Sequence, residues 1–152
     1  MHFGNISNIH YWDFHSWDTW YFIFHDHFEI SGGGFLCTGP DDESVAKMMD
    51  WIRYRIGFYG STKAYWPVLE HHDLLDLGQE LNHLSKNNGW SKMAALVSDD
   101  VVGHFAAVGR HDEIAAAVSE RFGGLTDAIG ASASPEIPAD LPPDVIQEIQ
   151  AI

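Results

Sequence analysis

The pattern of apolar and polar positions is clearest between residues 35 and 59. Phe35-Leu36-Cys37-Thr38 is a short apolar run closed by Gly39-Pro40, as expected of a buried strand and its turn. Asp41, Asp42 and Glu43 follow, acids suited to the N-cap and first turn of a helix, where the dipole is positive. Val45, Met48, Met49, Ile52, Ile56 and Tyr59 then recur at helical spacing, which predicts one long helix with a continuous apolar face. A strand feeding a helix is half of a βα repeat and requires a parallel sheet or barrel to complete it.

Downstream the pattern stays helical. Gly57 and Gly60-Ser61-Thr62 read as a break, after which Ser61 or Thr62 caps a helix over 63–71 with Pro67 in its early part. Leu74, Leu77, Leu81 and Leu84 form a further stripe, closed by Asn87-Asn88-Gly89. Ser91 is expected to cap a short helix carrying Met93, Leu96 and Val97. Asp99 and Asp100 open another, with Val101, Val102 and Phe105 inward. The block from about 61 to 104 is long for one crossover between strands and reads as an inserted helical excursion. Ala106-Ala107-Val108-Gly109 is a short apolar segment. A helix with Ile114, Val118 and Phe122 on one face follows, stopped by Gly123-Gly124. Residues 126–132 read as a strand of small residues, and a link with Pro135, Pro138, Pro142 and Pro143 precedes a last helix over 144–151. No repeat of solenoid period is present.

The first 30 residues differ from the rest. They hold five of the ten histidines and three of the six tryptophans, and no lysine or arginine. Tyr21-Phe22-Ile23-Phe24 is expected as a strand, and Phe28-Glu29-Ile30 as the start of another ended by Ser31 and the glycines. The segment 1–27 reads either as a strand-rich cover for a sheet edge or as an atypical start, such as a truncated or mis-framed coding region joined to a normal domain. The abrupt change in composition favours the second. Residues 28–152 form the one domain. Gly32-Gly33-Gly34 is not a phosphate loop, because it precedes the strand instead of linking a strand to a helix.

Composition narrows the partners. With 152 residues, 45% apolar and 20% charged, the chain is long enough for one domain with its own core. Its net charge of −14 disfavours nucleic acid and anionic membrane surfaces. No segment reaches the ~18 apolar residues of a membrane span, and no secretory signal is evident. The single cysteine, Cys37, falls in the expected strand and reads as a small core residue. Lack of an internal disulfide agrees with a cytoplasmic setting.

Candidate chemistry is sparse. His25-Asp26-His27, with His10, His15 and His71-His72-Asp73, offers a metal-ligand reading, since alternate strand residues share a face. No His-Glu-x-x-His or Cys-His spacing accompanies it, so surface histidines are the expected reading. Asp41/Asp42, Asp99/Asp100 and Asp112/Glu113 all fall at expected helix starts, where acids have a local reason to occur. Tyr54, Phe58, Tyr59, Tyr65 and Trp66 suggest an aromatic cofactor pocket, against ordinary packing between two helices.

Three stretches carry a family resemblance. The first is Phe28-Glu29-Ile30 with Phe35-Leu36-Cys37-Thr38-Gly39 and the acids after it. The second and most specific is Arg53-x-Arg55-Ile56-Gly57-Phe58-Tyr59-Gly60-Ser61-Thr62-x-Ala64-Tyr65-x-Pro67-Val68-Leu69-Glu70-x-His72, followed by Asp76-Leu77-Gly78-x-Glu80-Leu81-Asn82. The third is Val108-Gly109-x-x-Asp112-Glu113-Ile114-Ala115 with Glu120-Arg121-Phe122-Gly123-Gly124-Leu125-x-Asp127. From about residue 28 the chain resembles the C-terminal part of the luciferase-like monooxygenase superfamily, nearest its deazaflavin (coenzyme F-420)-dependent branch. His111 stands where that family usually has proline, the last strand is smaller than usual, and the first 27 residues match no part of the barrel.

The resemblance implies an α/β fold: the last units of a (β/α)₈ barrel, whose complete form takes ~250 residues. It implies an oxidoreductase using coenzyme F-420 or FMN to move a hydride on a small organic substrate. Most cofactor-holding positions of that family lie on earlier strands, so no catalytic residue is carried over. Thr38 and Gly39, at the carboxyl end of a barrel strand, are the positions expected to face the active-site mouth. Arg110, beside a helix N-terminus, is a further candidate for a phosphate contact. Open strand edges imply a homo-oligomer. The rival readings are a non-catalytic helical interaction module built on 61–104, and a His-based metal-binding module.

Overall fold

A computed structural model describes residues 29–32, 34–130 and 141–152. In chain order these form β1 (Ser31–Gly32), β2 (Phe35–Gly39), α1 (Asp42–Gly60), α2 (Trp66–His71), α3 (Leu75–Lys86), α4 (Trp90–Met93), α5 (Asp99–Phe105), β3 (Ala106–Arg110), α6 (Ile114–Phe122), β4 (Ala128–Ile129) and α7 (Pro143–Gln150). A 3₁₀ turn, Lys63–Tyr65, leads into α2, and another, Ala94–Leu96, follows α4.

The strand and helix expected from 35–59 form as the pattern requires. Asp41 is the N-cap of α1, its carboxylate accepting from the Ser44 amide at 2.8 Å. Met48, Ile52 and Ile56 are buried along the expected face. Each such side chain contributes roughly 1.5–3 kcal/mol over leaving it in water.

The strands pair in parallel as two two-stranded sheets, β1 with β4 and β2 with β3. In the second, Phe35 lies opposite Ala106 and Gly39 opposite Arg110. Side chains alternate faces along a strand, and both faces of this pair are covered. Cys37 and Ala106 pack into one cluster with Met48, Ile52 and Ile56 of α1 and Val101 and Val102 of α5. Leu36 and Ala107 pack into a second with Ile114 and Val118 of α6 and Val145 of α7. The fold is therefore helix-rich α/β with small parallel sheets. A barrel carries its helices on the outer face alone; the described residues form no closed barrel, and helices cover both faces of the β2–β3 pair.

Several local expectations are corrected. Gly57 does not break α1, which continues to Gly60. It is a close-approach position: a Cβ there would lie 3.1 Å from the Met93 Cβ, where α4 crosses. Neither Ser61 nor Thr62 caps the next helix with its side chain. The Ser61 hydroxyl donates instead to the Phe58 carbonyl at 2.7 Å, within the end of α1. Ser91 lies inside α4, whose N-cap is Gly89, and Ser98 caps α5 by accepting from the Val101 amide. Ser31 and Gly32 do not end a strand but form β1, because they pair with Ala128 and Ile129. The last strand is confined to those two residues among the described ones. The expected strand over 21–24 and the segment 1–27 lie outside the described residues.

The excursion between β2 and β3 is tied to α1 at several points. Asn82 of α3 donates to the Ser61 carbonyl at 2.6 Å, and the Trp66 indole to the Gly60 carbonyl at 3.2 Å. Arg53 of α1 bridges Asp50 and Asp99, linking α1 to the start of α5. Asn88 adopts φ +57° in the turn after α3, where the Gly89 amide returns to the Leu84 carbonyl. No helix of the described residues is long and apolar enough to cross a membrane.

Candidate functional site at the carboxyl ends of two parallel strands

The register of β2 and β3 sets Thr38 opposite Gly109 and Gly39 opposite Arg110. Three positions singled out in the sequence, far apart along it, thus meet at the carboxyl ends of adjacent parallel strands. Each strand leads into a helix, β2 into α1 and β3 into α6. The His111 amide donates to the Gly39 carbonyl at 3.0 Å and locks the two turns together.

The three residues differ in what they offer. Thr38 is 6% exposed, and its hydroxyl has no hydrogen-bond partner among the described residues. Gly39 is required by close approach, since a Cβ would lie 2.6 Å from the Ser44 Cβ at the start of α1. Arg110 is engaged by carboxylates on three sides: Asp112 at 3.3 Å, Glu113 at 2.8 Å and Asp42 at 3.4 Å. The hydrogen bond to Asp112, with the charges of Glu113 and Asp42, pushes its pKa further up. Two of the three acidic pairs noted in the sequence therefore converge on one guanidinium. The third serves α5, where Asp99 holds Arg53. Bonding to Ser44 holds the Asp41 carboxyl below its usual range, and the rim sets four acidic side chains, Asp41, Asp42, Asp112 and Glu113, around the single Arg110.

Other candidates disperse. Cys37 is fully buried, and loss of water pushes its thiol up to about 12, which removes thiolate chemistry at neutral pH. Among the described residues no three His, Cys, Asp or Glu side chains are grouped to hold a metal ion, and His25 and His27 lie outside those residues. The described histidines gather in another way. His72 lies 4.6 Å from His104 and 5.3 Å from His71, ring to ring, with Phe105 edge-on at 5.6 Å.

The aromatic group divides. Tyr54 stacks on Trp51, and Phe58 packs against Trp90. Tyr59 and Tyr65 line a cavity of about 450 Å³ together with Phe35 and Phe105. Sequence reasoning missed Phe35 and Phe105 in this role, because only the parallel pairing of β2 and β3 brings the two strand starts together. The cavity lies at the opposite end of the strands from Thr38, Gly39 and Arg110.

The fold and site define an α/β protein with a polar cluster at its strand ends. Its relatives include an uncharacterized protein of Mycobacterium tuberculosis and one of Mycobacterium bovis, each 43% identical over 102 residues. That match takes in 67% of this chain and 30% of each relative, so the chain spans less than a third of their length. No protein-family model matches the chain, and no solved structure matches it.

Proposed function

We propose that this chain corresponds to the C-terminal part of a luciferase-like oxidoreductase barrel that moves a hydride between coenzyme F-420 or FMN and a small organic substrate. The observation that carries this reading is the register of β2 and β3. It brings Thr38-Gly39 and Gly109-Arg110 to one end of adjacent parallel strands, each feeding a helix, a βα arrangement that barrels share with other parallel α/β folds; the helices on both faces of the pair are the feature that this reading does not account for. The size of the relatives agrees: 102 residues are 30% of each, a full length of about 340 residues, within the range of complete barrels.

The residues present do not by themselves fit the anionic tail of either cofactor. Arg110 is already neutralised by Asp42, Asp112 and Glu113, and Asp41 adds to the negative rim. Thr38 and Gly39 suit close approach of a small polar group to the backbone, but supply no positive charge. In this proposal the cofactor is held by other parts of the longer protein, and this segment contributes one wall of the mouth.

Fluorescence titration with coenzyme F-420 and with FMN tests the reading. The longer mycobacterial relative is expected to bind one of them, and this chain alone to give a flat titration. Failure of the relative to bind either cofactor removes the proposal. A second reading, a non-catalytic helical interaction module, draws on the exposed Phe58–Trp90 pair at the edge of the excursion, 44% and 37% exposed. It becomes the preferred one if the relative binds neither cofactor.

A further inference from the structure

We infer that the cavity between α1, α2 and the starting ends of β2 and β3 binds a small, uncharged molecule built on a flat apolar ring system. Its volume of about 450 Å³ falls within the roughly 300–1,000 Å³ of small-molecule sites. Phe35 and Phe105 close it from the strand side, Ile56 and Tyr59 from α1, and Leu69 from α2. Ile56 and Leu69 are buried, whereas Tyr65 and Val68, at 46% and 48% exposed, form the mouth. Four of the eight lining residues carry aromatic rings, and these do not lie parallel. Tyr59 stands edge-on to Tyr65, 5.3 Å between ring centres, and is tilted against Phe35 at 6.4 Å. Rings set at such angles present both faces and edges to a flat ligand.

The chemistry of the walls excludes an ion and a peptide. Among the described residues that line the cavity none is Asp, Glu, Lys, Arg or His. Helix α1 ends on the cavity wall at Gly60, and the carbonyls of its last turn are already engaged. Gly57 accepts from the Ser61 amide at 3.0 Å and Phe58 from the Ser61 hydroxyl at 2.7 Å. Tyr59 accepts from the Thr62 amide at 2.9 Å and Gly60 from the Trp66 indole at 3.2 Å. The Tyr59 hydroxyl accepts from Arg55 Nη2 at 2.7 Å. No basic residue stands in the last turn of α1 to offset the negative end of its dipole, which disfavours an anion beside it. An ion or a peptide backbone entering this space leaves water and finds few partners, a cost that an uncharged ring system avoids. The site lies at the far end of the strands from Thr38, Gly39 and Arg110, and does not depend on a flavin or deazaflavin.

Fluorescence titration of the whole chain with phenylnaphthylamine, an uncharged aromatic probe, tests this. The probe is expected to saturate one site with a rise in emission. In competition, naphthyl methanol should displace it about tenfold more tightly than naphthoate, whose charge enters the cavity unpaired. Val68→Trp, at the exposed mouth, is expected to weaken the probe about tenfold or more by filling the entrance. Ile146→Asp, in the separate groove beside α6 and β4, is expected to leave it unchanged. Circular dichroism and melting temperature report whether each variant is folded. If Val68→Trp does not fold, the order of alcohol and acid and the Ile146→Asp result decide. Absence of saturation, naphthoate binding as tightly as the alcohol, probe binding undiminished in folded Val68→Trp, or probe binding lost in folded Ile146→Asp overturns the inference.

Discussion

His72 shows how much a single side chain owes to neighbours distant in sequence. Burial lowers its pKa first, and the nearby His104, His71 and Arg121 add to this, all cationic or able to become so. Arg121 also reaches the carbonyls of Gly103 and His104, so positive charge gathers at the end of α5. The unfolded chain takes up the His72 proton near the ordinary value of 6.5 and the folded chain only at lower pH. Between those values protons favour the unfolded chain. The stabilising contribution is whole above 6.5 and is lost as pH falls through that window. Melting temperature should therefore drop on acidification from about pH 7.5 to about pH 5.5. His72→Phe, which keeps a ring against Phe105, should flatten that dependence; an unchanged slope in the variant would show that His72 does not govern it. The sequence offered His71-His72 as possible metal ligands or as surface histidines. His104 lies on α5, and no local pattern joins it to His72.

At the level of elements, helix α1 was legible almost throughout, because its apolar period, its acidic first turn and its N-cap all follow from neighbouring residues. What sits on it was not. Gly57 read as a break because a glycine in isolation has no way to signal that another helix crosses there. Its small size lets α1 and α4 approach, with the Met93 Cβ 3.1 Å from where a Cβ would stand. Gly57→Leu should therefore destabilise more than removing backbone freedom could compensate, by about 1–3 kcal/mol of overpacking, read from denaturant unfolding. A neutral or stabilising result would mean that α4 is not held against α1. The strand-end cluster divides in the same way. Thr38 and Gly39 were singled out by what the barrel resemblance implies for a strand end, and Arg110 by its place beside a helix N-terminus. Their meeting depends on β2–β3 register, and the neutralisation of Arg110 on Asp42 arriving from a different turn.

For the whole molecule, the question is what covers the surfaces that the described elements leave open. Among the described residues β3 pairs only with β2 and β4 only with β1, so each sheet is two strands wide. Parallel strands of that width are held by the helices on their faces. Beside α6 and β4, Ile146 of α7 and Ile152 line a groove of about 640 Å³ with Phe122, Ile129 and Leu141, and are 38% and 54% exposed. Apolar side chains grouped along a groove next to a strand pair are the kind of surface that association removes from water. A second copy of this chain would take the exposed Ile146 and Ile152 side chains out of water, and that occupant is open to direct test. Size-exclusion chromatography with light scattering should then give a mass above that of one 17.0 kDa chain, rising with concentration. Replacing Ile146 and Ile152 together by Asp should shift the distribution toward the single chain while leaving helix content unchanged. A single-chain mass at every concentration would instead leave the groove to a different polypeptide.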